Sequence, residues 1–251
     1  MKYMPRRVYN LGFLPDEIIY NYIKETVLKY TDHINLKSFN KNIIDPIKLT
    51  FDAKIYGKTF EDVIADECMR QIDKTNQNHL GYFHQNLFKL VGNGWEVPEK
   101  GFDIQHPAKH IFVEMKTKHN TMNAGGALAV ILQMQDKLLE DNKATCILVE
   151  VIAKRSQNIQ WTGRFKGYEL KGTDRIKRMS IDKFYELVFE DKNAFMKLCK
   201  ALPIILDDIM EELNKGTLDN SVLTELKAIS SNTFKSLFLL AFKTYEGFDN
   251  F

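Results

Sequence analysis

Apolar residues recur at three- and four-residue spacing over long stretches near both ends of the chain. In residues 15–30, the positions Ile19, Ile23 and Val27 fall on one side of a helix. Asp16 stands where a helix start favours negative charge. The same spacing predicts further helices over about 60–72 (with Thr59 as a candidate N-cap), 79–91, 126–140, 181–190, 192–213, 221–229 and 232–242.

The middle of the chain follows a period of two instead. In residues 111–117, three apolar side chains alternate with Phe112, Glu114 and Lys116, which is typical of a strand. Short strands at 95–97 and 101–105 would complete an antiparallel meander, and another short strand is possible around Gln160–Trp161.

Residues 145–153 form a nearly continuous apolar run, which favours a strand buried on both faces. A helix separates this run from 111–117, so a right-handed crossover should make the two strands parallel. The predicted fold class is therefore α/β, with a central mixed β-sheet flanked by helices and additional N- and C-terminal helices.

Composition places the chain among ordinary globular proteins. It has 251 residues, 44% of them hydrophobic, which excludes a disordered or fibrous protein and suits one domain over 1–251. No apolar stretch is long enough to span a bilayer, and the first residues lack the apolar segment of a secretory signal. The three cysteines are far apart, which favours a reduced, cytoplasmic protein.

Charge is nearly balanced overall but uneven along the chain. The 35 Lys and Arg against 33 Asp and Glu give a net charge of +2, which at first argues against a nucleic-acid partner. However, 154–178 holds eight Lys and Arg and two acids, whereas 182–212 holds eight acids and four Lys. With Trp161, Phe165 and Tyr168 among its basic residues, 154–178 is interpreted as a phosphate-binding arm, the alternative being a solvated loop. Its expected DNA contacts are Arg164, Lys166, Arg175, Lys177 and Arg178.

Two acids and a lysine in the predicted meander form a candidate catalytic site. Asp103 lies on one strand, and Glu114 and Lys116 share a face of the next. Two converging carboxylates, with the backbone carbonyl of Met115, make a hard oxygen site for Mg²⁺. Such a site activates water near a phosphate, and the lysine can orient that water or neutralise charge. The alternative is chance, because exposed strand faces commonly alternate charges.

The residues around this trio resemble a known enzyme family. KTNQNHLGYFHQNLF (74–88), NGW (93–95), GFDI (101–104) and VEMKTKHNTMN (113–123) are similar to the type II restriction endonucleases of the PD-(D/E)xK superfamily, most closely to the family that cuts GGNCC. The resemblance covers about a fifth of the chain. Phe102 stands where the superfamily motif has Pro, a position that is structural and often varied.

The resemblance implies a restriction-endonuclease-like core at about 60–155, with a mostly helical part at about 180–251. It implies a Mg²⁺-dependent enzyme that cuts double-stranded DNA at a short palindrome, with GGNCC as the expected site. Asp103 and Glu114 would hold Mg²⁺, and Lys116 would act on the attacking water. Many members add a polar residue from the preceding helix, for which Gln85 is the first candidate and Glu67 the second. A homodimer is expected, with a cognate DNA methyltransferase as a genetic partner.

The polar run after the catalytic strand is the candidate DNA reader. Its amides and lysine suit base edges, and helix N-termini bind phosphates. The alternative is helix capping by Thr121 or Asn123. The candidate contacts are Lys118, His119, Asn120, Thr121 and Asn123, whereas His79 and His84 are more typical of packing groups.

Two other functions remain open. A repair or mobile-element nuclease of the same fold would share the trio without strict sequence specificity. A non-catalytic DNA-binding module would have a degenerate trio, against which the intact Asp103, Glu114 and Lys116 argue.

Overall fold

The computed structural model describes residues 7–119, 122–165, 167–170, 173–214 and 218–242, without the side chains of 164, 165, 168 and 170. These residues form two compact units. The first comprises the described residues up to Thr26 and from Gly81 to Leu213, and the second comprises those from Val27 to Leu80 and from Asn214 onward. The expectation of a single endonuclease domain stays a prediction.

The helices and strands of the two units are numbered in the order of the chain. The helices are α1 (Asp16–Leu28), α2 (Leu36–Asn40), α3 (Pro46–Tyr56), α4 (Phe60–Gly81), α5 (Phe83–Lys89), α6 (Ala124–Glu140), α7 (Ile181–Phe189), α8 (Ala194–Leu213), α9 (Val222–Ile229) and α10 (Thr233–Phe242). The strands are β1 (His33–Ile34), β2 (Ile104–His106), β3 (Ile111–Lys118), β4 (Thr145–Ile152), β5 (Asn158–Gln160), β6 (Gly163–Phe165), β7 (Tyr168–Leu170), β8 (Ile176–Ser180) and β9 (Asp219–Asn220).

A five-stranded mixed sheet is the centre of the first unit. Its strand order is β2-β3-β4-β8-β5. β3, β4 and β8 are mutually parallel, and the two outer strands are antiparallel to their neighbours. The predicted α/β class, the antiparallel β2–β3 pair and the parallel crossover from β3 to β4 are confirmed. The apolar run of β4 is buried on both faces, since Leu148 and Val149 have no exposed surface.

Helix α6 covers the sheet face that carries Phe112. Its residues Ile131 and Met134 pack with Phe112, Cys146 and Leu148 in one hydrophobic cluster. The helix begins where the side chain of Asn123 accepts a hydrogen bond from the Gly126 N–H at 2.8 Å. This cap satisfies a backbone donor that the first turn leaves free. The crossover helix therefore starts close after the end of β3.

The second unit is mainly helical. Phe39, Leu49, Ile64, Leu226 and Leu237 contribute to its core. α4 begins with a reciprocal cap, in which Thr59 Oγ1 accepts from the Asp62 N–H at 3.1 Å and Asp62 Oδ2 accepts from the Thr59 N–H at 3.2 Å. The prediction of Thr59 as an N-cap is confirmed. No helix in the described part of the chain is long and apolar enough to cross a membrane.

The main error of the sequence prediction lies in the basic segment. Its last residues form β8, a strand of the central sheet in which Ile176 and Met179 are buried. Trp161, expected on a DNA-facing arm, is only 2% exposed and belongs to the core beneath α6. The segment predicted as a phosphate-binding arm therefore ends in a strand of the central sheet, with Ile176 and Met179 pointing into the protein.

Other differences concern shorter elements. The predicted strand at 95–97 is a single bridge between Glu96 and Gln105. The predicted helices at 60–72 and 79–91 are instead α4 and α5, which meet near Tyr82, so His79 and His84 lie on different helices. α2 and α3 were not predicted. α3 begins at Asp45, which accepts from two backbone N–H groups, and it is followed by Gly57 at φ +62°, a left-handed conformation that glycine adopts without strain.

Candidate active site

Asp103 is held by the backbone of the neighbouring strand. It immediately precedes β2, and its own N–H donates to the Val113 carbonyl at 3.0 Å. Its carboxylate Oδ2 accepts a 2.7 Å hydrogen bond from the Met115 N–H. Oδ2 of Asp103 thus adds one hydrogen bond between β2 and β3 beyond their last regular pair, Ile104 and Val113. The other oxygen is left for a different partner.

Glu114 and Lys116 lie beside Asp103 on one face of β3. The Lys116 ammonium donates to Glu114 Oε1 at 2.6 Å. The Glu114 side chain is 12% exposed and that of Lys116 is 31% exposed. Burial raises the pKa of Glu114, the bond from Lys116 opposes that rise, and the charge of Asp103 adds to it. The two carboxylates therefore repel each other in a partly dehydrated place, which a bound cation would relieve.

The donor set fits a hard divalent cation. Carboxylate oxygens from Asp103 and Glu114, with the Met115 carbonyl, are the ligands that Mg²⁺ takes in proteins, usually together with several waters. Among the described residues, no group of three or more His, Cys, Asp or Glu side chains is placed to hold a metal. The pair of carboxylates is thus suited to an ion that retains much of its water and binds substrate oxygens.

The two candidates for a further polar group differ in their surroundings. Gln85 on α5 is 7% exposed, and within the described residues its side-chain amide has no hydrogen-bond partner. Glu67 belongs to the second unit, where both of its oxygens accept from Arg70 at 2.6 Å and one also accepts from Gln71 at 3.0 Å. The Glu67 oxygens are therefore already engaged, which favours Gln85.

A buried acid next to this site was missed by the sequence prediction. Glu150 on β4 has no exposed surface and pairs in register with Lys116. Arg178 Nε donates to Glu150 Oε1 at 3.0 Å, and Arg178 Nη2 contacts the same oxygen. His119 Nδ1 lies 3.2 Å from Glu150. The signal that could have revealed it is a lone acid within an apolar strand, since a charge is buried only when it is paired.

The predicted DNA-binding residues lie in different parts of the structure. Lys118 is exposed at the end of β3, and Asn123 caps α6, as the capping alternative predicted. Arg178 and His119 meet at Glu150. Arg175 is at the other end of the parallel strands, where its guanidinium donates to the Asn142 carbonyl at 3.0 Å. Lys177 is half-buried on β8, whereas Asn120, Thr121, Lys166 and the side chain of Arg164 lie outside the described residues.

His84 is a packing group. Its ring lies between Phe83, Tyr185 and Phe195, and its Nδ1 is 2.9 Å from the Tyr185 hydroxyl. Burial lowers its pKa to about 4. The imidazole is therefore neutral at pH 7 and shares a hydrogen bond with the Tyr185 hydroxyl, as expected for a structural histidine.

Comparison with known proteins gives consistent matches over most of the chain. The sequence model of the Eco47II restriction endonuclease family matches residues 11–211. The type II restriction enzyme Sau96I of Staphylococcus aureus is 29% identical over 212 residues, which are 80% of this chain and 81% of that protein. The type II restriction enzyme Eco47II of Escherichia coli is 30% identical over 218 residues, which are 80% of this chain and 89% of that protein.

Proposed function

From the membership of this chain in the Eco47II restriction endonuclease family, which makes it a type II site-specific deoxyribonuclease, we propose that Asp103, Glu114 and Lys116 carry out Mg²⁺-dependent hydrolysis of double-stranded DNA at a short palindromic site. GGNCC is the expected sequence. The observation that carries the assignment is the half-buried trio itself: two carboxylates that repel each other, with an ammonium 2.6 Å from one of them.

Enzymes of this type generally use a divalent metal, and the proposed ligands are Asp103, Glu114 and the Met115 carbonyl. When bound, the ion lowers the pKa of a coordinated water and offsets charge on the phosphate. The 2.7 Å bond from Met115 fixes the Asp103 carboxylate and would leave its other oxygen to bind the ion. Glu114 binds from β3 and keeps Lys116 beside the reacting groups.

Lys116 is the proposed catalytic cation. Its ammonium orients the attacking water and stabilises the negative charge that develops on the phosphate, a contribution that is large in a site from which water is partly excluded. Gln85 is proposed to supply a further hydrogen bond at the site, because its side chain is mostly buried and its amide has no hydrogen-bond partner among the described residues.

The chain that leaves β3 is the proposed reader of the sequence. Lys118 and His119 come two and three residues after Lys116, and Asn120, Thr121 and Asn123 follow before the start of α6. Arg164, Lys166 and Lys177 are proposed to contact phosphates. Arg175 is left out of this set, because it lies at the opposite end of the parallel strands from Lys116.

A palindromic site implies two copies of the enzyme. Cleavage of both strands requires two active sites related by a twofold axis, so the proposed assembly is a homodimer. A DNA methyltransferase encoded nearby would protect the host and is the proposed genetic partner. Because its proposed substrate is unprotected DNA that enters the cell, the enzyme is proposed to act in the cytoplasm.

Digestion of plasmid DNA tests the proposal. With Mg²⁺, the enzyme should give discrete fragments, and sequencing of their ends should show GGNCC. A smear would instead favour a nuclease without strict specificity, and no cleavage under any divalent ion would favour a non-catalytic binding module. Lys116→Ala should abolish cleavage but keep specific binding in a gel shift with Ca²⁺. Full cleavage by this variant would overturn the site assignment.

A further inference from the structure

Arg178 is held on two sides by other residues of the first unit. It lies on β8 in register with Leu148, and only 21% of its side chain is exposed. Nε and Nη2 bind Glu150, and Nη2 also lies 2.8 Å from His119 Nδ1 and 3.4 Å from the His119 carbonyl. The guanidinium therefore ties β4 to the residue that follows the end of β3.

The contact with Arg178 selects the tautomer of the His119 ring. A guanidinium only donates hydrogen bonds, so His119 Nδ1 at 2.8 Å accepts, and the imidazole proton is carried by Nε2. The 3.2 Å approach of the same Nδ1 to Glu150 is then a contact without a hydrogen bond. His119 thus offers one N–H donor at Nε2, of the kind that base edges with acceptor atoms require.

The main chain of His119 is fixed as well. Its N–H donates to the Ile152 carbonyl at 2.9 Å, which extends the β3–β4 ladder by one bond. Both the ring and the backbone of His119 are therefore positioned by β4 and β8, three residues beyond Lys116.

Resting on the proposed function, we propose that Arg178 is a positioning residue for DNA recognition and does not bind a phosphate. Anchored by Glu150, it holds His119 as an Nε2–H donor to an acceptor on a base edge, such as N7 or O6 of guanine. Sequence discrimination then depends on Arg178 through His119, whereas general DNA affinity does not.

Binding measurements in Ca²⁺ distinguish an arginine that positions a base-reading residue from an arginine that binds a phosphate. Affinity is measured by fluorescence anisotropy for a duplex with the cognate site and for a random duplex, over a series of salt concentrations. Arg178→Lys keeps a charge for Glu150 but cannot bridge to His119. It should lower the ratio of specific to non-specific affinity about tenfold, as expected for one lost base contact, and leave the salt slope unchanged.

A phosphate contact would behave differently. Loss of one such contact weakens binding to both duplexes and lowers the slope of log affinity against log salt by about 0.9. To remove the charge without leaving a buried acid unpaired, the same measurements are made on Glu150→Gln/Arg178→Gln. A fall in its slope of that size would overturn the proposal. Arg175→Gln, which removes a charge from the other end of the strands, should match the wild type in the discrimination ratio.

The dependence on His119 is tested by a double-mutant cycle. His119→Gln should lose about the same discrimination as Arg178→Lys, and the combined variant should lose no more than either alone. Additive losses, or an unchanged ratio in Arg178→Lys, would overturn the proposal. If the wild type itself shows no discrimination between the two duplexes, the proposed restriction function fails, and this inference fails with it.

Discussion

The backbone N–H of Met115 donates a 2.7 Å hydrogen bond to Oδ2 of Asp103. One side chain thereby joins two strands and presents its remaining oxygen as a ligand, so the folding role and the proposed metal role of Asp103 are carried by different atoms. Two substitutions at this position should separate them.

Asp103→Asn should abolish cleavage with little loss of stability. An amide oxygen can still accept the Met115 bond, but it is a weak ligand for a hard cation. Asp103→Ala removes both roles and should in addition cost about 1–3 kcal/mol, the penalty of an unsatisfied backbone donor. Cleavage assays and urea unfolding measure the two effects. Equal stability of the two variants would contradict the structural role of the bond.

Lys116→Gln should slow cleavage at least 100-fold and raise the pKa of Glu114 further. In the wild type, the hydrogen bond from Lys116 opposes the rise in the pKa of Glu114 that burial and the charge of Asp103 cause. Without it, Glu114 stays protonated to a higher pH and a proton competes better with a metal ion. Titration with Mn²⁺ at several pH values should therefore show the onset of binding at higher pH than in the wild type. An unchanged onset would contradict the coupling of these groups.

Acid should destabilise the protein through His84. Its folded pKa of about 4 lies below the usual value near 6.5, so the unfolded state takes up the proton first as the pH falls. Stability is fully present above about pH 6.5 and declines towards pH 4, with a loss of about 2 kcal/mol by pH 5 at the usual 1.4 kcal/mol per pKa unit.

The matched variant for this effect is His84→Gln, which still offers an acceptor to the Tyr185 hydroxyl but does not titrate. Urea unfolding at pH 7.5 and pH 5 should show a smaller acid loss for the variant than for the wild type. The same acid loss in both proteins would show that other groups cause it.

Gln85→Met should slow cleavage about tenfold and preserve the fold. One lost hydrogen bond at the reacting groups costs about 1.4 kcal/mol of transition-state stabilisation, and Met fills a similar volume in this buried place. Glu67→Gln should instead lower stability, because its carboxylate accepts two bonds from Arg70, and leave the rate per folded molecule unchanged. If Glu67→Gln slowed single-turnover cleavage and Gln85→Met lowered only the stability, the catalytic role would belong to Glu67.

The sequence was sufficient where local pattern and chemistry agree. The alternation around Glu114, the apolar run of β4 and the intervening helix predicted the parallel pair correctly, because a buried central strand has few alternatives. The strand pair also brought Asp103 beside Glu114 and Lys116, as the pattern predicted. Period-two spacing and one short turn are enough to specify that geometry.

The pattern failed where charges pair inside the protein. β8 contains Lys177 and Arg178, so its sequence looks like a surface segment. Its place in the sheet depends on Glu150, which lies 28 residues earlier in the chain and supplies the opposite charge. No local window contains both members of the pair, and the sequence around Arg178 alone does not indicate that its charge is paired inside the protein. Sequence periodicity therefore could not predict an ion pair between residues that are far apart in the chain.

The burial of Glu150 also limits how this enzyme can evolve. With no exposed surface on the acid, loss of the positive charge at Arg178 leaves an unpaired buried carboxylate at Glu150, which costs about 3–5 kcal/mol. That is a large part of the 5–15 kcal/mol by which a protein of this kind is stable. A mutational path that removes this charge pair therefore requires two substitutions together, with few viable single-step intermediates.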